Sequence, residues 1–440
     1  VEVNQPGPAT GTVRQDHDNA PDLRVTRRVA WAAVIGTVVE YYDYGVYAFL
    51  TTALATVFFP AGDGTASLLA TLAAVGSAYA LRPIGGLLFG HLGDRIGRRP
   101  ALVIAILGMT FATTVVGILP THAAFGIGAT VLLILIRVVQ GLSAGGEVGG
   151  ATAYVAEFAP RGRRGLFTSL IQIGSIGGSL ASAMLILLFR SVLTQEMLLS
   201  WGWRIPFLLA LPIGFVGLFI RSRLDESPAM RALAAEEKRS SFPLAELLRE
   251  HRAKIVQGFG ASALMAGGVY ITFFYAQVHL QAVTHHSGAL ATLAVTVAML
   301  VACLCIPQFG RLSDRIGRKP VLLGGSIGLA VLAIPAFVAF GSSQPAVVII
   351  ADTVLGIPVA AILGANLAML TELFPAQVRY TGIALVVNLT AIAFAGPTPL
   401  VCAWLVSVTG IKIAPAFYLV AFAVVSFGTL LTLKETAGRE

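Results

Sequence analysis

The stretch GHLGDRIGRRP, Gly90 to Pro100, returns as GRLSDRIGRKP, Gly310 to Pro320. Eight of the eleven letters are identical, and the copies lie 220 residues apart in a chain of 440. Apolar runs flank both: Ser67 to Phe89 and Ala101 to Leu119 around the first, Ala289 to Phe309 and Val321 to Phe340 around the second. A basic, glycine-punctuated motif between two such runs reads as a turn at the edge of a membrane, written once in each half of a duplicated chain.

Composition agrees. Hydrophobic residues make up 56% of the sequence and charged ones 12%, with a mean hydropathy of +0.82, whereas soluble proteins carry roughly a quarter charged residues. Runs of about 20 apolar residues match a hydrocarbon slab about 30 Å thick. Twelve are present: 28–58, 66–90, 101–120, 123–156, 165–190, 201–221, 255–281, 288–310, 321–340, 344–371, 380–408 and 412–433. The fold class expected is all-α and integral to the membrane, and the ten-residue alternation of an outer-membrane barrel is missing. Lys and Arg cluster in the N-terminal tail and after runs 2, 4, 6, 8 and 10, which places both termini of a multi-pass chain in the cytoplasm. The net charge of +8 then reports topology and anionic lipid, and no nucleic-acid partner is expected. Cys303, Cys305 and Cys402 all fall in apolar runs, where packing explains them without a metal.

The repeat extends past the opening motif. Glu157-Phe-Ala-Pro160 is echoed by Glu372-Leu-Phe-Pro375, 215 residues on. Two pseudo-symmetric six-helix bundles follow, 28–222 and 253–434, with an N-terminal tail 1–27, disordered by composition, a charged linker 223–252 and a short tail 435–440. Such halves are the layout of alternating-access transporters. In each half an aspartate, Asp94 or Asp314, precedes a basic cluster: Arg95, Arg98 and Arg99, or Arg315, Arg318 and Lys319. These residues read as a cytoplasmic gate, with Gly90 and Gly97 for close approach and turning, and Glu157, Glu372 and Arg379 at the neighbouring helix ends. A loop that only sets topology needs no aspartate at the same place twice.

Ionisable residues inside a membrane are costly and mark functional sites. Glu40, Asp43, Tyr44 and Tyr47 share one face of helix 1 at i, i+3, i+4 and i+7 spacing. Arg82 precedes Pro83, where a local kink is expected, so its guanidinium is read either as a substrate anchor or as the counter-ion of Glu40 or Asp43. Arg137 and Glu147 lie on helix 4. Asp352, 215 residues after Arg137, is read as a seam residue or, more simply, a solvated acid near the outer end of helix 10. Tyr79, Gln140, Gln172, Tyr270, Tyr275, Gln277 and Asn388 are further cavity candidates. Trp201 and Trp203 read as an interfacial belt, with Arg204 beside them either binding substrate or snorkelling. His279, His285 and His286 read as surface residues.

Gly90-x3-Asp94-Arg95-x-Gly97-Arg98-Arg99 resembles the loop 2–3 signature of the major facilitator superfamily, and Arg137-Val-Val-Gln140-Gly141 resembles its helix 4 signature. Glu40-Tyr-Tyr-Asp43-Tyr44, Arg82-Pro-Ile-Gly-Gly86, Gly145-Gly-Glu147 and Trp203-Arg-Ile-Pro-Phe207 are together similar to the metabolite:proton symporter branch. The resemblance implies import of a carboxylate such as citrate, 2-oxoglutarate or shikimate, or of a zwitterion such as proline or betaine. It also matches Asp43 to a helix 1 acid that faces the helix 4 arginine, here Arg137. The two form either a proton-coupling pair, with Glu40 as second acid and Glu147 nearby, or a permanent structural one. Osmosensing members carry a long coiled-coil tail, which the short stretch after helix 12 does not match.

No nucleophile or metal constellation is visible, so no enzyme is expected, and no Walker loop, so no ATP. The expectation is a monomeric proton symporter without cofactor, the proton being the coupling ion. Arg82 and Arg204 offer positive charge beyond the needs of Asp43 and tilt the substrate toward a carboxylate anion. The alternatives are a proton symporter of a zwitterionic solute, and a uniporter or exchanger without coupling.

Overall fold

The computed structural model describes residues 23–59, 64–160, 162–222 and 243–438. The described chain is helical, with twelve long helices in two six-helix bundles. The first bundle holds α1 (Leu23–Phe58), α2 (Gly64–Ile96), α3 (Arg98–Ile118), α4 (Ile127–Phe158), α5 (Arg164–Val192) and α6, assembled from Gln195–Met197, a π turn at Leu198–Gly202, Arg204–Leu208 and Ala210–Ser222. The second holds α7 (Arg252–Ala282), α8 (Gly288–Ile316), α9 (Arg318–Ala339), α10 (Pro345–Leu373), α11 (Arg379–Thr409) and α12 (Ala414–Thr432). Helices α3 to α12 are all long and apolar enough to cross a membrane. Helices α1 and α2, of 36 and 33 residues, complete the twelve. Most of the expected tail 1–27, and residues 223–242 of the expected linker, lie outside the described residues.

Side chains such as Phe111, Ile127, Val256 and Val408 stay exposed on the outer faces, because there the solvent is hydrocarbon and burying them against one another gains little. Charged and polar residues such as Asp43, Arg137 and Asn366 point inward. Helix ends follow local chemistry: Ser287 caps α8 by accepting from Leu290 N, Pro345 opens α10, and Gly410 closes α11 with φ +67°.

The repeated motif is not a loop. Helix α2 continues to Ile96 and α3 begins at Arg98, so a single residue, Gly97, makes the turn, and Gly317 does the same between α8 and α9. Their φ angles are +124° and +102°, with extended ψ, a region open almost only to glycine. Nor does α2 break at Arg82: Pro83 sits within a continuous helix, since neighbouring helices tolerate the lost donor.

Across the bundles, α2 packs on α11 and α8 on α5. Duplication relates α2 to α8 and α5 to α11, so these are two copies of one seam. At the second, a Cβ on Gly165 would lie 2.6 Å from Gly310 O, so the two backbones touch with no room for larger residues.

Substituting alanine at Gly97 or at Gly317 is expected to cost about 1–3 kcal/mol each, read as a lowered Tm in detergent. Gly165→Ala should open the seam and lower Tm with no change in backbone torsion.

Candidate functional site: two buried ion pairs, a cavity and a double clasp

The helix 1 stripe meets two different cations. Asp43 is fully buried, with Arg137 Nη1 3.5 Å from its Oδ2. Gln140 Nε2 donates to Asp43 Oδ1 at 2.9 Å and to Thr113 Oγ1 at 2.9 Å, and Gln140 Oε1 accepts from Arg137 Nη1 at 3.2 Å. Helices α1, α3 and α4 are thus joined through one amide. The Arg137 guanidinium also lies over the Tyr47 ring, a favourable stack for a desolvated cation.

Three residues nearer the motif end, Arg82 Nη2 donates to Glu40 Oε1 at 2.5 Å, and the guanidinium lies 5.2 Å from the Tyr44 ring centre and 5.6 Å from that of Tyr79. Arg82 Nε makes no hydrogen bond. This arginine forms part of a central cavity between the bundles. From α1, α2 and α5 come Tyr41, Tyr79, Gln172, Ser175 and Ser179, and facing them from α7 and α11 are Met265, Tyr270, Phe274 and Thr390. The Tyr79 and Tyr270 hydroxyls hydrogen-bond across the seam. Both second-bundle helices carry a π turn here, Tyr270–Tyr275 in α7 and Ala391–Ala395 in α11. Such turns free backbone groups and concentrate at functional sites. A smaller cavity behind α1 is lined by Glu40, Ser143, Met109 and Glu147.

At the motif end the bundles are clasped twice. Asp94 pairs with Arg98 in its own motif and reaches across to α11, where Oδ2 accepts from Thr381 N at 3.0 Å and Thr381 Oγ1 at 2.6 Å. Asp314 pairs with Arg318 at 2.7 Å and reaches across to α5, accepting from Gly165 N at 2.8 Å and Leu166 N at 2.9 Å. Each aspartate therefore caps the N-terminus of a helix in the other half, where free N–H groups and the helix dipole favour an anion. The arginines are anchored behind: Arg98 to Glu157 at 3.3 Å and Arg318 to Glu372 at 2.9 Å. Arg379 joins Glu157 at 3.4 Å, and Arg98 also donates to Ala376 O at 3.0 Å.

Sequence comparison places this geometry in a family. A profile for sugar (and other) transporters matches residues 29–254, and one for the major facilitator superfamily matches 258–439. The chain is 36% identical to a proline/betaine transporter of Salmonella typhimurium, covering 94% of this chain and 84% of that one. It is 35% identical, over the same shares, to a glycine betaine/proline/ectoine/pipecolic acid transporter of Dickeya dadantii.

The chain belongs to the major facilitator superfamily.

The fold agrees: the proton:xylose symporter XylE bound to 6-bromo-6-deoxy-D-glucose superposes with a TM-score of 0.80 at 19% identity, over 94% of this chain and 97% of that one. As a superfamily member the protein is a membrane transporter and not an enzyme.

Within this facilitator fold, the candidates read from the sequence divide. Asp43, Arg137 and Gln140 come together, as do Glu40, Arg82, Tyr44 and Tyr79. Gln172 and Tyr270 line the cavity, Gln172 donating to Met265 Sδ at 3.4 Å. Asn388 instead ties the seam, donating to Gly145 O at 2.6 Å. Tyr47 belongs to the far-end apolar cluster with Phe207. Tyr275 packs beside His279, and Gln277 bonds Thr292. Arg204 is at the far end, stacked on Trp203 and donating to Gly117 O at 3.2 Å and Leu119 O at 2.6 Å, so it does not reach the cavity. Trp203 is fully buried against Phe58 and Phe207, so of this pair Trp201 alone is exposed as a belt residue is. His279 is buried and Asp352 is buried, neither being the surface group expected. Arg95, Arg99 and Arg315 are exposed around the clasp, Arg99 donating to Ser222 O.

Sequence reading missed Tyr41, Ser175, Ser179, Phe274 and Thr113. The serines at 175, 179 and 182 form a small polar stripe at i, i+4 and i+7 that pattern alone could have found. It also missed Glu435, whose carboxylate accepts from Arg318 N at 2.9 Å and Lys319 N at 3.1 Å and so caps α9. Burial pushes this acid up, but backbone N–H groups of Ala437, Arg318, Lys319 and Thr436 outweigh it and hold it below its ordinary 4.5.

Two outcomes are expected. Asp94→Asn should weaken the clasp by about 1–2 kcal/mol. A Ser175→Cys probe in a chain lacking its native cysteines would then react five- to thirty-fold faster with a bulky thiol reagent supplied from the motif side. Stability owed to Glu435 should be present above pH 4.5 and fade as pH falls through its lowered folded value. Glu435→Gln should therefore flatten the acid limb of Tm against pH.

Proposed function

We propose that the protein is a proton-coupled symporter of a small zwitterion of the betaine or proline class, working by alternating access with its motif end toward the cytoplasm. The observation that carries this reading is the charge balance of the cavity. The preference for an anion rested on spare positive charge at Arg82 and Arg204. Arg82 is neutralised by Glu40 at 2.5 Å, Arg137 faces Asp43, and Arg204 lies elsewhere. A cavity whose fixed charges cancel suits a solute whose own charges cancel, since a net anion would be left uncompensated in a poor dielectric.

The two ends of such a solute have matching partners. The Nε of Arg82 offers a donor to a carboxylate, while the rings of Tyr41, Tyr79, Tyr270 and Phe274 offer faces to an ammonium. The relatives named for proline and betaine support this choice of solute. Solute binding across the seam would draw the π-turn segments of α7 and α11 toward Arg82. Asp43 supplies the coupling: while Arg137 faces it the carboxylate is stabilised, and when α4 shifts the acid is left in apolar surroundings that favour its protonated form. The motif-end clasp must open for release to the cytoplasm, and its two copies open together because each joins the same two bodies. The protein is expected to act as a monomer with no cofactor.

Reconstituted protein should accumulate labelled glycine betaine and proline only under an inward proton gradient, and neither citrate nor 2-oxoglutarate should compete. Uptake indifferent to the gradient would reject coupling, and competition by the carboxylates would restore the anion reading. Asp43→Asn should lower the accumulation reached under the gradient while sparing solute exchange. Phe274→Leu should raise the KM for glycine betaine about five- to thirty-fold, the equivalent of about 1–2 kcal/mol of cation–π attraction, with a smaller effect on proline, whose ammonium can still donate hydrogen bonds.

A further inference from the structure

Helix α10 carries an intramembrane acid that the coupling scheme above does not use. Asp352 is the eighth residue of α10, about 10 Å from its far end at 1.5 Å per residue. Its side chain is 0% exposed, and neither carboxylate oxygen has a hydrogen-bond partner. Other acids of the described spans are differently placed: Asp43 and Glu40 face arginines, Glu147 lines the smaller cavity behind α1, Glu157 is held by Arg98 and Arg379, and Glu372 at the opposite end of α10 is held by Arg318. No ion pair reaches Asp352 among the described residues.

The elements packed against α10 are α4, α5, α7, α8, α9 and α11. At the depth of Asp352 they offer Tyr275 and His279 on α7, neither of which bonds it. Both ring nitrogens of His279 are themselves without a partner, in a nest of Tyr275, Phe337 and Phe340. Arg137 on α4, the residue that duplication relates to Asp352, is engaged with Asp43 and Gln140. Helix α8 contributes Cys303 and Cys305, α9 nothing titratable before its motif end, α11 only Cys402, and α5 no ionisable group at this depth whose side chain is described.

We propose that Asp352 is a second proton-carrying site of the transport cycle. An isolated carboxylate cannot keep a full charge in such surroundings, so in the clasped conformation the group holds its proton. It gives the proton up in a conformation where α10 moves against α8 and α9 and admits water. The balance is simple: one proton taken from water on the far side, one released to water on the motif side, with no other bond changed. Asp43, whose cation sits beside it, and Asp352, which has none, are then loaded in different states of one cycle.

The proposal rests on the proton-symport reading, and reversal potentials in proteoliposomes separate the two. A wild-type protein with no proton dependence would refute symport itself. With symport established, Asp352→Asn should keep solute exchange and move one fewer proton per solute, and an unchanged ratio would overturn the proposal. Should Asp352→Asn not fold, as judged by lost exchange, Asp352→Glu decides. A carrier acid displaced by one methylene keeps the ratio and shifts the pH profile of uptake, whereas an unshifted profile in that variant would overturn the proposal.

Discussion

A charge inside a lipid-embedded bundle has no water to stabilise it, so each one must be answered where it stands. That constraint arranges the whole centre of this transporter. Glu40 and Asp43, less than one helical turn apart on α1, are answered by cations from two different helices, Arg82 on α2 and Arg137 on α4. Helix α1 is thereby locked in rotation against both neighbours. The pairing also leaves the cavity without surplus charge, and so bears on which solute it suits.

The same rule operates at the motif end with a different partner. Asp94 and Asp314 are answered partly by arginines of their own motifs and partly by backbone N–H groups at the start of α11 and α5. A helix N-terminus is a diffuse positive charge that needs no side chain. The caps themselves can be released by a small tilt, although Arg379 must then leave Glu157 and Arg98 must leave Ala376 O across the same seam. The within-half anchors, Arg98 to Glu157 and Arg318 to Glu372, keep each motif intact while the cross-half caps let go.

Much of this was legible in the sequence. Twin motifs and apolar run lengths led to two six-helix halves, because a hydrocarbon slab demands a near-uniform span. The acid stripe on α1 was legible because helical spacing puts positions 40, 43, 44 and 47 on one face. Partner choice was not. Two acids and two arginines on three helices allow more than one pairing, and relative helix rotation selects among them. The backbone caps on α5 and α11 had no signature either, because any residue but proline at positions 165, 166 and 381 presents the same N–H donor, and the added hydroxyl of Thr381 is one threonine among many in the sequence. The π turns in α7 and α11, the burial of Trp203 and the isolation of Asp352 likewise depend on how neighbouring helices pack.

By itself, then, the sequence determined that this chain lies in a membrane, that it is built twice, and which residues carry charge into its interior. Those properties follow from composition, periodicity and repetition, which act locally along the chain. Tertiary structure alone decided that Arg82 is spent on Glu40, that Arg204 lies at the far end, that each aspartate of the repeated motif clasps the opposite half, and that Asp352 stands alone. Electrostatic partnership is a matter of a few ångströms between helices distant in sequence, and helix tilt and rotation set those distances.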